Sequence, residues 1–218
     1  MAAYLQNLKQ QEPPISQASS ICPIQKDEIL SPLGRVVLEN IAIKPLLGLV
    51  KRFKDLGFKV SHGYKIIEEL ISLRLILPLT IDGQRLYELT RQGENVLGKK
   101  VALKGRGGLE HRYYVEMIKA FFIQKGGFAF LEKNNLDLVV ETLDKQIAIQ
   151  VETGKSDIQA NLFKLGKYKA DQKFVLTTNR KTEIMIKNVL KDLLVPDREN
   201  IQVFFAKDFL TNPPFLSC

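Results

Sequence analysis

The stretch that decides the fold of the C-terminal half is LDLVVETLDKQIAIQVETGKSD, which runs from Leu136 to Asp157. Its β-branched runs predict two short strands, 136–142 and 146–152, joined by a tight turn. A polar loop that begins a helix follows them. Asp137 lies in the first predicted strand, Glu152 ends the second, and Lys155 follows in the loop. Because carboxylates on neighbouring strands can hold a divalent cation on one side of a sheet, the stretch indicates a candidate metal site.

Apolar and polar residues alternate along the second predicted strand. The alternation places Gln150 and Glu152 on one face of the sheet, opposite the face that carries Ile147, Ile149 and Val151. A polar pair on one sheet face needs partners or solvent, which favours a cleft. A glutamine that simply faces water fits the same pattern.

Composition limits the kinds of site and partner. The chain has 218 residues, of which 45% are hydrophobic, and it carries a net charge of +8. Two cysteines near opposite termini and two histidines disfavour a disulfide framework and a zinc site, so any metal should be an oxygen-ligated Mg²⁺ or Mn²⁺. The excess of basic over acidic residues favours binding to a polyanion such as nucleic acid.

Nothing in the sequence predicts association with a membrane. No apolar run approaches the roughly 18–20 residues that a membrane-spanning helix needs. The first residues, MAAYLQNLKQQEPP, lack the apolar stretch of a secretory signal. We therefore expect a cytoplasmic protein.

The N-terminal half begins with an irregular segment and continues with helices. Residues 1–28 form a polar arm, with a short helix near 4–9. Ser31 and Pro32 form a favourable helix start. A second helix is predicted over 45–56, and Ser61 is predicted to cap a third.

Two strands and another helix complete this half. The strands, 75–81 and 84–90, are joined by Asp82-Gly83, a strong hairpin signal. Thr90 is predicted to cap a helix over 90–101. The segment KGRGG, residues 104–108, is rich in glycine and basic residues, which is typical of a flexible linker. It predicts a domain boundary between 29–104 and 105–218.

The order of these elements, with the phrase LYELTRQGENVL, resembles the winged helix-turn-helix of many DNA-binding proteins. The resemblance covers about residues 31–101. It implies that His62, Lys65 and Arg74, beside the recognition helix, contact DNA. An ordinary solvated face and a protein-docking role are the alternatives.

The C-terminal half alternates helices and strands, which predicts a mixed sheet with helices on its faces. The pattern includes the two strands of the opening stretch. It ends with a tail over 211–218 that is predicted to be irregular. The remaining elements are helices over 109–125, 155–168 and 180–194, and strands over 128–133, 172–178 and 201–205.

This half resembles the restriction-endonuclease-like superfamily, the PD-(D/E)XK nucleases, over about residues 105–193. It is similar to archaeal Holliday junction resolvases and to the nuclease-like domain at the end of some DNA-pumping ATPases. The segment GGLEHRYYVEMI with Glu110, then Asp137, and then IAIQVETGKSD carry the resemblance. The family's Glu-x-Lys pair falls on Gln150 and Glu152, so the chain departs from the pattern at both positions.

The resemblance implies a division of roles around a Mg²⁺ or Mn²⁺ ion. Asp137, Glu152 and Gln150 would hold the metal, and Lys155 would orient the attacking water. Glu110 would bind a water molecule coordinated to the metal. The neighbouring His111 is a weaker candidate for a catalytic role. Lys164 and Lys167 would line a DNA groove.

A purely structural interpretation exists for the same residues. Asp137 could cap a turn, and the loop after the second strand could be a capped helix start with Thr153 or Ser156 as the cap.

These expectations give three candidate functions. The first is a metal-dependent DNA endonuclease, acting as a homodimer on duplex or branched DNA, with a DNA-translocating ATPase as a potential partner. The second is a DNA-binding regulator with a degenerate, inactive nuclease domain. The third is a protein-interaction module whose basic surface is incidental.

Overall fold

The structure, a computed structural model, describes residues 30–98, 107–192 and 194–213. The arm predicted over 1–28, with its short helix, lies outside the described residues, as does most of the linker. Within the described ranges the fold is mixed α+β. It contains eight α-helices, a two-stranded sheet and a five-stranded sheet.

The first half contains the elements in the predicted order. Ser31 Oγ accepts a hydrogen bond from the Gly34 N–H, and Thr90 Oγ1 accepts one from the Gly93 N–H, so both predicted caps are confirmed. The elements are α1 (Pro32–Ile43), α2 (Leu49–Asp55), α3 (Val60–Ser72), β1 (Ile76–Ile81), β2 (Gln84–Leu89) and α4 (Arg91–Leu97).

Two helix starts in this half were predicted wrongly. The helix predicted from Pro45 begins at Leu49, because the preceding residues form a turn and Gly48 is extended. The third helix is not capped by Ser61. It begins at Val60, after extended Lys59, so Ser61 already lies within the first turn.

The second half is built around the five-stranded sheet. Strands β3, β4 and β5 are antiparallel neighbours, whereas β5, β6 and β7 run parallel, in the order β3-β4-β5-β6-β7. The elements are α5 (Leu109–Gln124), β3 (Phe128–Leu131), β4 (Leu138–Glu141), β5 (Gln146–Glu152), α6 (Ile158–Lys167), β6 (Gln172–Thr177), α7 (Arg180–Asp192), β7 (Ile201–Phe205) and α8 (Ala206–Thr211).

Helices cover both faces of this sheet. Ile147, Ile149 and Val151 pack with α5 and α8, whereas Ala148 packs with α6 and α7. The predicted alternation along β5 is therefore confirmed. Gln150 and Glu152 share the parity of Ala148 and lie on the α6–α7 face.

The structure corrects three details of this half. Asp137 does not lie in a strand, because a short 3₁₀ turn with positive φ at Asn134 and Asn135 delays β4 until Leu138. Helix α6 is capped by Asp157, not by Thr153 or Ser156. The final helix, α8, was not predicted, and residues 214–218 of the predicted tail lie outside the described residues.

The β1–β2 hairpin packs against the second half. Ile81 and Leu86 are buried in the same cluster as α5, and Tyr114 donates a hydrogen bond to Asp82 at the hairpin turn over 3.1 Å. The hairpin also contributes Ile76 and Tyr87 to the core of the first half. It is therefore shared by the two hydrophobic cores.

Within the described ranges, no helix has both the length and the apolar character to cross a bilayer.

Candidate active site

A cavity of about 390 Å³ lies beside the start of β4 and the end of β5. Side chains from five segments of the second half reach it. They are Glu110 and His111 of α5, Asp137 before β4, Gln150 of β5, Lys155 of the following loop and Lys164 of α6.

The strand register brings Asp137 to this cavity. Leu138 pairs with Ile149, so the preceding residue, Asp137, lies opposite Gln150. Asp137 Oδ2 accepts a hydrogen bond from the Val151 N–H over 2.7 Å, and its Oδ1 lies 3.3 Å from His111 Nε2. The carboxylate is therefore held in place from two sides.

Gln150 presents an unsatisfied oxygen. Its side chain lines the cavity, the residue is 5% exposed, and Oε1 has no hydrogen-bond partner among the described residues. Leaving a buried polar atom unpaired costs about 1–3 kcal/mol. The oxygen itself has almost no accessible surface, so a ligand in the cavity would reach it only after the Gln150 side chain turns toward the opening.

Glu152 is buried below the cavity and does not line it. The residue is 1% exposed. Its Oε2 accepts a hydrogen bond from Ser156 Oγ, and its Oε1 accepts one from Asn161 Nδ2 over 2.8 Å. Burial raises the pKa of Glu152, although these two hydrogen bonds oppose the shift. The structure thus brings Asp137 and Gln150 together but separates Glu152 from the cavity surface.

Glu110 and Lys155 meet at the rim of the cavity. Glu110 Oε1 accepts a hydrogen bond from Thr178 Oγ1 over 2.8 Å, and its Oε2 lies 3.6 Å from Lys155 Nζ. Because the Lys155 side chain is 78% exposed, this ion pair contributes little to stability. Lys155 is thus free to turn toward a ligand.

Sequence reasoning missed Thr178, Ser156 and Asn161 as parts of the site. Thr178 follows β6, and its contact with Glu110 spans 68 positions, so no local pattern indicates it. Asn161 also had no distinctive signal, because polar residues are ordinary on the exposed face of an amphipathic helix such as α6.

No group of three or more His, Cys, Asp or Glu side chains suited to a metal occurs in residues 30–98, 107–192 and 194–213. The side-chain oxygens beside this cavity that could hold a metal include the carboxylates of Asp137 and Glu110 and the amide oxygen of Gln150.

His111 is the titratable group in contact with Asp137. Burial lowers its pKa, but the hydrogen bond to Asp137 and the negative charges of Asp137 and Glu152 outweigh burial, so its pKa is raised. The interaction therefore stabilises the fold below the ordinary histidine pKa of about 6.5. This stabilisation is lost as the pH rises through the raised pKa.

We expect Asp137→Asn to lower the pKa of His111, because the substitution removes the main charge that favours the imidazolium. The measurement is an NMR titration of the imidazole resonances in metal-free protein. His62 lies on α3, outside the cavity, and its resonance should not respond to the substitution. An unchanged His111 titration would show that the contact with Asp137 is not formed in solution.

The remaining predicted DNA contacts lie away from the cavity, except Lys164. His62 and Lys65 are exposed on α3, and Arg74 is exposed just after it with a φ of 54°. Lys167 Nζ lies 4.3 Å from the Phe163 ring centroid and lines a different depression.

Comparison of the chain with protein-family models, with curated proteins and with solved structures finds no match in any of the three.

Proposed function

We propose that this protein is a metal-dependent DNA endonuclease whose active site is the cavity around Asp137 and Gln150. The observation that carries the proposal is the unpaired, buried Oε1 of Gln150 opposite the anchored carboxylate of Asp137. A carboxylate just before β4 and an amide of β5 thus lie opposite each other beside one cavity, and Lys155 and Lys164 line the same cavity.

The topology supports this proposal. Helix α5, the antiparallel strands β3, β4 and β5, helix α6 and the parallel strand β6 follow the order expected from the resemblance to PD-(D/E)XK nucleases. The start of β4 and the end of β5 lie side by side, where the resemblance places the acidic motif.

The oxygens present fit Mg²⁺ better than a cation that needs many protein ligands. Mg²⁺ is commonly held by one or two carboxylates and keeps several waters, so Asp137 with the Gln150 amide oxygen is a sufficient set. A metal bound there would polarise a phosphodiester and favour deprotonation of an attacking water.

The protein's own residues supply orientation and charge. The Val151 N–H and His111 fix the Asp137 carboxylate. Lys155 and Lys164 offer positive charge to a phosphate in the cavity, and Glu110 lies beside Lys155 at the rim. The first half, with exposed His62 and Lys65 on α3, would bind duplex DNA as a winged helix.

Cleavage of supercoiled plasmid, single-stranded DNA and a four-way junction with Mn²⁺ or Mg²⁺ tests the proposal. We expect metal-dependent cleavage of at least one substrate, lost on addition of EDTA. Cleavage of the junction by symmetric cuts would also support a homodimer. No cleavage with either metal would refute the enzyme.

A second candidate function is DNA binding without hydrolysis. It is favoured by the hydrogen bonds that occupy both Glu152 oxygens and by the amide that stands where an acid is expected at Gln150. A salt-dependent gel shift with no cleavage would support this function. No binding even at low salt would favour a protein-interaction module.

A further inference from the structure

Glu152 connects the loop after β5 to helix α6. Ser156 of the loop donates to one carboxylate oxygen, and Asn161 of α6 donates to the other. The Thr178 N–H also donates to the Glu152 carbonyl oxygen over 3.0 Å. The loop and helix α6, which both line the cavity, and the residue after β6 therefore meet at Glu152.

Asn161 extends these contacts to a cavity lysine. Its Nδ2 donates to Glu152, so its Oδ1 points the other way and accepts from Lys164 Nζ over 3.4 Å. Lys164 lines the cavity, and so do Ser156 and Asn161. We call Glu152, Ser156, Asn161 and Lys164 the Glu152 network.

A second contact holds the same loop against α7. Gly154 has a φ of +82°, and a side chain there would meet Thr182 Oγ1 at 2.7 Å. The loop therefore packs closely on α7 on one side while Glu152 holds Ser156 on the other.

We propose that Glu152 is a positioning residue, which orders the 153–157 loop and aims Lys164 into the cavity, and is not a metal ligand. This inference rests on the proposed function for its catalytic consequence. Its physical basis is independent, since ligation would require Glu152 to release Ser156 or Asn161 and to leave a position that is 1% exposed.

Because the side chains of Glu152 and Asn161 are bonded to each other, a pair of substitutions can exchange the carboxylate and the amide between these two positions. In Glu152→Gln, the amide oxygen can still accept from Asn161 Nδ2, and the new N–H can donate to the Ser156 hydroxyl oxygen, so this variant alone keeps the network. Asn161→Asp places two carboxylates in contact. In the double variant, the amide introduced at position 152 donates to the carboxylate introduced at position 161. The other oxygen of that carboxylate again accepts from Lys164.

The experiment compares the full-length wild type, E152Q, N161D and E152Q/N161D. We expect N161D to lower kcat by about 10- to 100-fold, the usual effect of disturbing groups that orient a site, with KM for DNA unchanged. E152Q, which keeps both contacts, should stay near the wild-type kcat. The double variant should recover most of kcat. Amide hydrogen exchange over 153–157 should accelerate in N161D and slow again in the double variant.

Mn²⁺ binding, followed by isothermal titration calorimetry, separates positioning from ligation. A positioning role predicts that E152Q binds Mn²⁺ like the wild type. Loss of Mn²⁺ binding in E152Q would overturn the proposal, and so would a double variant that recovers no kcat.

Failure of the proposed function would be recognised separately. If the wild type binds no Mn²⁺ and cuts no DNA, the endonuclease is refuted and hydrogen exchange alone decides the role of Glu152. Restored exchange protection in the double variant then supports the positioning role, and its absence overturns it.

Discussion

Asp137→Asn should reduce metal-dependent DNA cleavage by roughly 10³-fold, since the charge stabilisation that a bound metal supplies is worth several kcal/mol. Asparagine has nearly the same shape and can still accept the hydrogen bond from the Val151 N–H. It lacks the negative charge that would hold a cation next to Gln150. The measurement is the single-turnover cleavage rate with Mn²⁺ on the substrate that the wild type cuts best.

Asp144→Asn is the matched control for this substitution. Asp144 is exposed in the turn between β4 and β5, and its side chain contacts Thr142 within the same turn. The control variant should cut DNA at the wild-type rate. Equal rates for the two variants would show that the cavity around Asp137 is not the catalytic site.

Arg52→Ala should destabilise the first half by about 3 kcal/mol or more, because it removes three hydrogen bonds from a charged donor, and bonds to charged groups are worth about 1.5–3 kcal/mol each. Arg52 is 1% exposed and donates to Asn40 Oδ1 and, over 2.8 Å each, to the carbonyl oxygens of Lys44 and Leu47. These bonds tie the end of α1 and the following turn to α2. Burial lowers the pKa of Arg52 to about 10, so the guanidinium stays charged at neutral pH.

Urea denaturation followed by circular dichroism measures this effect. Lys51→Ala, at the exposed neighbouring position of α2, is the control and should lie within about 0.5 kcal/mol of the wild type. Equal midpoints for R52A and K51A would show that the Arg52 contacts do not hold α1 and α2 together.

The order of the elements in both halves could be predicted because it depends on local periodicity. The alternation along β5 placed Gln150 and Glu152 on one face, and the packing of Ala148 with α6 and α7 confirms that face. Helix starts were less predictable, because Ser61 has a good capping side chain but the chain turns into helix two residues earlier. The six residues of α8 are too few to show a helical period.

The site was only partly predictable, because two residues on the same face of a sheet can have different neighbours from other segments. Gln150 meets the cavity, whereas Glu152, two residues later, is covered by Ser156 and Asn161 from other segments. The contacts of Asp137 with His111 and of Glu110 with Thr178 join segments far apart in the chain. Such contacts depend on tertiary packing, which no local pattern encodes.

The β1–β2 hairpin makes the two halves of the chain depend on each other for folding. Its residues Ile76 and Tyr87 complete one core, while Ile81 and Leu86 complete the other. A fragment cut near residue 104 would leave α5 with an uncovered apolar face in one piece and two bare aliphatic side chains in the other. The intact chain should therefore melt in a single transition, and neither half on its own should retain its full stability.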